Sequence, residues 1–248
     1  MKTRSKAAIA ALSALVVAMA GCSSIGRSLL FLPTHNSYAS GLEPWTHEGS
    51  VLGYSRVVAR PRNVWLMLHG NAGQASGRSY ALPSFSGEDS VFIMEYPGYG
   101  GRAGKPSREA FDAAAREAYL LLRETYPGTP VCVAGESIGT GPACSLAGLA
   151  QPPDKLVLVV AFDRLSLVAR EHVPAILVSF LLRDDWDNAA ALGSYRGPVE
   201  IYGALDDTVI PVRHAKSLAA AVPSSRFTLI EGGHNDWSQP GRVRIRNP

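Results

Sequence analysis

Cysteine is scarce in this chain, with three among 248 residues. Three are too few for a disulfide-stapled scaffold, and no C-x-x-C pair offers a zinc or redox site. Charge is scarce as well: 18% of residues are charged against 46% hydrophobic, a balance that excludes disorder and fits a packed core. The 24 glycines and 17 prolines follow no period, so collagen-like and low-complexity architectures are excluded. The formal charge of +3 leans on Lys2, Arg4 and Lys6; without them 21 basic residues face 21 acidic ones. That leaves no basic excess for a nucleic-acid partner. No internal repeat and no second composition regime is visible, and nothing signals an oligomeric state.

What is present begins with an address. Three positive charges precede an apolar run from Ala7 to Ala20, broken by Ser13. At 14 residues the run is short of the roughly 20 needed to span a bilayer, and the layout matches a secretory signal peptide. The sequence Met19-Ala20-Gly21-Cys22 resembles a bacterial lipobox, in which the cysteine is lipidated and becomes the new N-terminus. The expectation is a signal peptide over 1–21, lipid on Cys22, a tether over 22–28 and one domain over 29–248. A diacylglycerol plus an amide-linked chain would anchor the protein stably to the membrane. By the same resemblance, Ser23 after the cysteine favours the outer membrane in a Gram-negative cell envelope. The alternative is an ordinary signal peptide with an incidental cysteine.

Apolar runs at 63–69, 90–96, 130–135, 155–161, 198–202 and 226–230 read as buried strands. Helical spacing of Phe111, Ala114, Ala115, Ala118, Leu121 and Leu122 predicts a helix over 107–125, with Ser107 as N-cap. Small residues over 138–150 suit a helix packed closely on a sheet, and 212–221 reads as another helix. Continuous apolar strands alternating with helices imply an α/β fold with a mostly parallel sheet covered on both faces. Sites in such sheets form beyond the C-terminal ends of the strands.

The chemistry-bearing residues fall at those ends. Gly135-Glu136-Ser137-Ile138-Gly139 stands between a strand and a small-residue helix, where a sharp turn presents Ser137 as a nucleophile and the Ile138 N–H as an oxyanion donor. His69-Gly70-Asn71-Ala72-Gly73 follows an earlier strand and supplies a second donor, the Asn71 N–H. His69 is expected to brace that loop by hydrogen bonding rather than to react. A serine nucleophile needs a base and an orienting carboxylate. His234, just past the last strand, is the expected base. Asp206 and Asp207 both follow the strand before it; Asp207 is preferred as the acid on its D-x-V-x-P spacing, with Asp206 the alternative. His214, on an expected helix, reads as a solvated histidine, and His35, His47 and His172 lie outside the required chain order.

Taken together, HGNAG at 69–73, EYPGYG at 95–100, GESIG at 135–139, AFDRLSLVARE at 161–171, DTVIP at 207–211 and GGHND at 232–236 resemble the α/β-hydrolases, and within them the BEM46-like serine hydrolases. The resemblance covers Leu29 to Trp237. It implies an eight-stranded fold, a Ser137–Asp207–His234 triad and no metal or organic cofactor. The resemblance supplies this chemistry without a substrate; the residues are expected to hydrolyse a small acyl substrate, a carboxylic ester, through an acyl-enzyme. Alternatives are another acyl bond (thioester, amide or envelope lipid ester) or a non-catalytic envelope lipoprotein on the same scaffold. Two features depart from the family. Pro240-Gly241 break any long helix after His234, so the sheet is expected to be less well covered there and His234 less firmly held. The cap, over 163–192, is small, and its apolar stretch at 173–182 is either an acyl-binding wall or an ordinary packed helix. Cys132 and Cys144 are either bridged or free and buried.

Overall fold

The computed structural model describes residues 25–36 and 40–246. The segment over 1–21, where a signal peptide is expected, and Cys22 lie outside the described residues.

Eight strands form one sheet in the order β1-β2-β4-β3-β5-β6-β7-β8. They are β1 (Glu43–His47), β2 (Ser50–Arg56), β3 (Val64–Leu68), β4 (Ser90–Met94), β5 (Val131–Glu136), β6 (Leu156–Val159), β7 (Val199–Ala204) and β8 (Arg226–Ile230). From β4 through β3 to β8 all pairing is parallel, in register such as Leu68 beside Gly135 and Ala204 beside Ile230. Strands β3, β5, β6 and β7 are buried along their whole length, which is why they read as unbroken apolar runs.

The hairpin β1–β2 was not legible as strands. It pairs antiparallel and joins the sheet antiparallel to β4. Its two-residue connection, Glu48-Gly49, has both residues at positive φ, 48° and 78°. That is the backbone a tight hairpin turn needs, and it is the local signal that marks this hairpin. Strand β1 carries Pro44 and shifts register between Trp45 and Thr46.

The helices are α1 (residues 25–30), α2 (Arg108–Thr125), α3 (Thr140–Ser145), α4 (Leu165–His172), α5 (Ala175–Leu181), α6 (Asn188–Ala191) and α7 (Arg213–Ala221). Helix α2 starts where expected, with Ser107 Oγ accepting the Ala110 N–H at 3.1 Å. It buries Phe111, Ala114, Ala115, Ala118, Tyr119 and Leu122; Leu121 is only half-buried. The helix expected over 138–150 arrives in pieces. A 3₁₀ turn, Ser137–Gly139, leads into α3, and a second, Leu146–Gly148, ends the segment.

The two faces of the sheet are covered differently. On one, α2, α3 and α7 pack on Leu66, Leu68, Val133, Leu158 and Ile201. On the other, Trp65, Met67, Ile93, Val157 and Tyr202 lie beneath two 3₁₀ segments, Ala75–Gly77 and Ser79–Ser84, and a C-terminal strap. The strap runs past a 3₁₀ turn at Asp236–Ser238 and buries Trp237, Val243 and Ile245. Arg244 and Arg246 carbonyls accept from Tyr202 Oη and Lys155 Nζ, and the Ile245 N–H donates to the Ser84 carbonyl. An extended strap thus covers the sheet where a helix was missed; on the opposite, helix-covered face, Leu229 of β8 is left exposed.

Cys132 sits on β5 under the strap side, while Cys144 sits in α3 on the opposite side of the sheet. Both are free. Burial pushes the Cys132 thiol up to about 12 and the Cys144 thiol higher still. Native protein treated with iodoacetamide at neutral pH should therefore show neither residue alkylated by peptide mass mapping, and both alkylated after denaturation. A Cys132–Cys144 bridge in the untreated protein would contradict the arrangement.

Candidate active site

The site is built on the C-terminal edge of the parallel strands. Strand β5 ends at Glu136, and Ser137 follows with φ 54°, a left-handed backbone that costs a non-glycine residue roughly 1–3 kcal/mol. The turn closes because Gly139 has no side chain: a Cβ there would lie 2.1 Å from the Leu68 carbonyl oxygen of β3. Thr140 Oγ1 donates to the Ser137 carbonyl at 2.7 Å and in turn accepts from Asn188 Nδ2 of α6.

Asp207 follows β7. Its Oδ1 accepts the N–H groups of Val209 and Ile210, both at 2.8 Å, so the Asp-Thr-Val-Ile turn is organised around this side chain. Its Oδ2 lies 2.7 Å from His234 Nδ1. Asp206 points away into solvent, and its N–H donates to the Gly232 carbonyl, which joins the two loops. The structure thus brings Asp207, not Asp206, to the histidine. A carboxylate only accepts, so His234 Nδ1 carries the proton. Nε2 is left as an acceptor, 3.0 Å from Ser137 Oγ.

His234 is fixed by the strap rather than by a helix. The Gly233 N–H donates to Asp236 Oδ2, and the buried Trp237 donates its Nε1–H to Glu136 Oε1 at 3.1 Å. Glu136 also accepts the Gly70 N–H at 3.0 Å and Tyr80 Oη at 3.2 Å. One buried carboxylate therefore joins the serine turn, the HGNAG loop and the strap behind His234. Arg78 completes this brace, donating to the Gly70 and Ala72 carbonyls and to Tyr80 Oη. None of Glu136, Arg78, Tyr80 and Trp237 was marked by motif spacing. The only hint was a charged residue directly after an apolar strand.

The HGNAG loop carries no reactive histidine. His69 is fully buried, its Nδ1 2.7 Å from the Gly70 carbonyl oxygen and its Nε2 3.5 Å from Glu95. Burial pushes its imidazole below the usual histidine range. Glu95, from the EYPGYG segment, accepts the Ala75 N–H with both oxygens, and Tyr96 Oη donates to the His69 carbonyl. Asn71 uses its side chain to hold the chain after α1. Its Oδ1 accepts from the Leu32 N–H and Tyr99 Oη, and its Nδ2 donates to the Leu30 carbonyl. The Asn71 N–H has no acceptor among the described residues. The Ile138 N–H stands at the start of its 3₁₀ turn, where no preceding turn offers one. Both residues line the same cleft as Ser137.

That cleft, about 730 Å³, runs between α1 and the cap. Leu30, Phe162, Leu165, Val168 and Ile138 make its wall apolar, and Ser137 and His234 sit at its floor. His214 does not reach it. Contrary to the solvated reading, His214 is buried on α7, with Nδ1 2.8 Å from Asp163 Oδ1, and it pins the base of the cap. His172 lines the cleft but, among the described residues, makes no hydrogen bond to Ser137, Asp207 or His234; its Nε2 lies 2.8 Å from the Val209 carbonyl oxygen and so ties α4 to the Asp207 turn. Among the described residues no cluster of His, Cys, Asp or Glu is arranged to hold a metal ion.

Solved structures share this architecture. The esterase Pf2001 of Pyrococcus furiosus superposes with a TM-score of 0.62 at 14% identity, over 85% of this chain and 92% of that one. The chain has the α/β-hydrolase fold. An uncharacterized protein of Mycobacterium tuberculosis strain H37Rv is 34% identical over 176 residues, covering 69% of this chain and 62% of that protein. The lysophosphatidylserine lipase ABHD12 of Danio rerio is 28% identical over 186 residues, covering 66% of this chain and 48% of that protein. The chain thus spans about half to three fifths of these relatives. No family model matches it.

Replacing Glu136 with Ala would strand two buried donors, the N–H groups of Gly70 and of the Trp237 ring, each costing about 1–3 kcal/mol when unsatisfied, and would leave the Tyr80 hydroxyl without its partner. Urea unfolding of Glu136→Ala should show a loss of about 3 kcal/mol or more; a loss below about 1 kcal/mol would mean that the carboxylate is not the tie described.

Proposed function

We propose that this α/β-hydrolase-fold protein is a serine hydrolase of carboxylic esters with an acyl chain. The observation that carries the reading is the linear chain Asp207–His234–Ser137, ending on a serine hydroxyl at the floor of an apolar cleft. Ser137 Oγ attacks the ester carbonyl while His234 Nε2 takes its proton. Asp207 keeps the imidazole in the tautomer that can do so and stabilises its charged form. The carbonyl oxygen, now negative, receives the N–H groups of Asn71 and Ile138. Collapse breaks the bond to the alkoxy group, which leaves with the proton from His234. Water, deprotonated by His234, then attacks the acyl-serine and releases the acid and free Ser137.

The apolar wall suits the acyl part of the substrate better than a polar one. The relative named for lysophosphatidylserine, itself a single-chain ester amphiphile, supports that preference. The lipobox-like segment ending at Cys22 supports a second part of the proposal: a lipid-anchored protein of the bacterial envelope, facing such esters at a membrane.

Hydrolysis of p-nitrophenyl butyrate by the full chain tests the reaction. Ser137→Ala and Asp207→Asn should each lower kcat/KM by at least about a thousandfold. Asp206→Asn, exposed and turned away, should stay within about twofold. Retained turnover in Ser137→Ala would end the proposal, and a large loss in Asp206→Asn with little in Asp207→Asn would reverse the assignment of the acid.

A further inference from the structure

The cap holds a helix that inverts the usual distribution of apolar residues. Helix α5, Ala175–Leu181, contains no charge and buries only Val178. Ile176, Leu177 and Phe180 are exposed at 65%, 46% and 60%. Helix α1 lies directly against it. Gly26 fits so closely that a Cβ would stand 2.0 Å from the Leu181 carbonyl oxygen, and Arg27 Nε donates to the buried Asp184 at 2.9 Å, just beyond α5. Helix α1 and the chain after it expose Ile25, Leu29 and Leu32 at 57%, 67% and 50%. The two apolar surfaces therefore form one patch. Patches of this kind on a folded chain mark a binding surface.

The cleft opens within the patch. Leu29, Leu32, Val173 and Val209 are exposed and at the same time line the cleft that holds Ser137. A second protein covering this surface would close the entrance. A lipid surface would cover it and still feed acyl chains into it. The chain also leads there. The apolar run that ends at Ala20 is separated from Ile25 by four residues, a reach of at most roughly 18 Å. If Cys22 is the lipidated residue, only Ser23 and Ser24 intervene.

We propose that the exposed apolar faces of α1 and α5 seat the protein on a lipid bilayer with the mouth of the cleft turned to the lipid. The seating does not depend on the hydrolase reading; the supply of ester from the membrane does.

The test uses the full chain reconstituted in phosphatidylcholine vesicles, with one added tryptophan per variant: Ile176→Trp, Phe180→Trp and, as control, Val57→Trp. Val57 is exposed beside β2, whose end pairs with the beginning of β4, at the opposite edge of the sheet from Ser137. With acyl chains brominated, the emission added at 176 and 180 should fall by about half or more, and that at 57 should not. No fall at 176 and 180, equal falls at all three positions, or a dimer with both patch positions unquenched would each overturn the proposal. A second variant, Ile176→Glu with Phe180→Glu, separates the two readings. It should lower hydrolysis of vesicle-borne esters by about tenfold and leave p-nitrophenyl acetate hydrolysis unchanged; equal rates on vesicles would count against the seating. Quenching at the patch without hydrolysis of either ester would leave the seating standing and end the hydrolase reading instead.

Discussion

A buried carboxylate holds this site together. Glu136 occupies the last position of the central strand and collects three donors that are all far from it in sequence: Gly70, Tyr80 and Trp237. A carboxylate with little access to water is costly unless its oxygens are filled, and the segments that fill them are the ones that need mutual registration. The serine turn, the HGNAG loop and the strap behind His234 therefore stand or shift together. The geometry at Ser137 Oγ, 3.0 Å from His234 Nε2, depends on this internal tie as much as on the turn itself.

The remainder of the site follows from parallel strands that end on one edge. Strands β3, β5, β7 and β8 bring Asn71, Ser137, Asp207 and His234 to that edge because each residue lies within a few positions of a strand end. Elements that differ from ordinary helical covering do the same work. The strap from Asp236 to Arg246 shields the sheet with Trp237, Val243 and Ile245 and satisfies its carbonyls on Tyr202 and Lys155. A helix is one way to cover a sheet face; an extended segment with three large apolar side chains is another.

What was legible in the amino-acid order follows from physical locality. The fully buried strands announced themselves because both of their faces must be apolar. Ser137, Asp207 and His234 were legible because each sits in a short pattern that the local backbone requires. The choice between Asp206 and Asp207 was legible only through the turn, since Val209 and Ile210 donate to one of them. The hairpin β1–β2 was not legible because short, partly exposed strands lack a continuous apolar run. Glu136 and Trp237 were silent for another reason: their partners are 56 to 101 residues away, and no local pattern encodes such contacts. His214 was misread because a helix position shows its spacing but not the carboxylate, Asp163, that folds over it.

The first strand has one more consequence. A sheet whose outer strand offers free N–H and C=O groups along its length is a template on which another chain can add. Strand β1 spoils that template twice, with Pro44, which has no N–H to offer, and with the slip in register between Trp45 and Thr46. The outer margin of the sheet is therefore self-terminating on this side: the backbone that closes the fold also withholds the ladder on which a neighbouring molecule would polymerise.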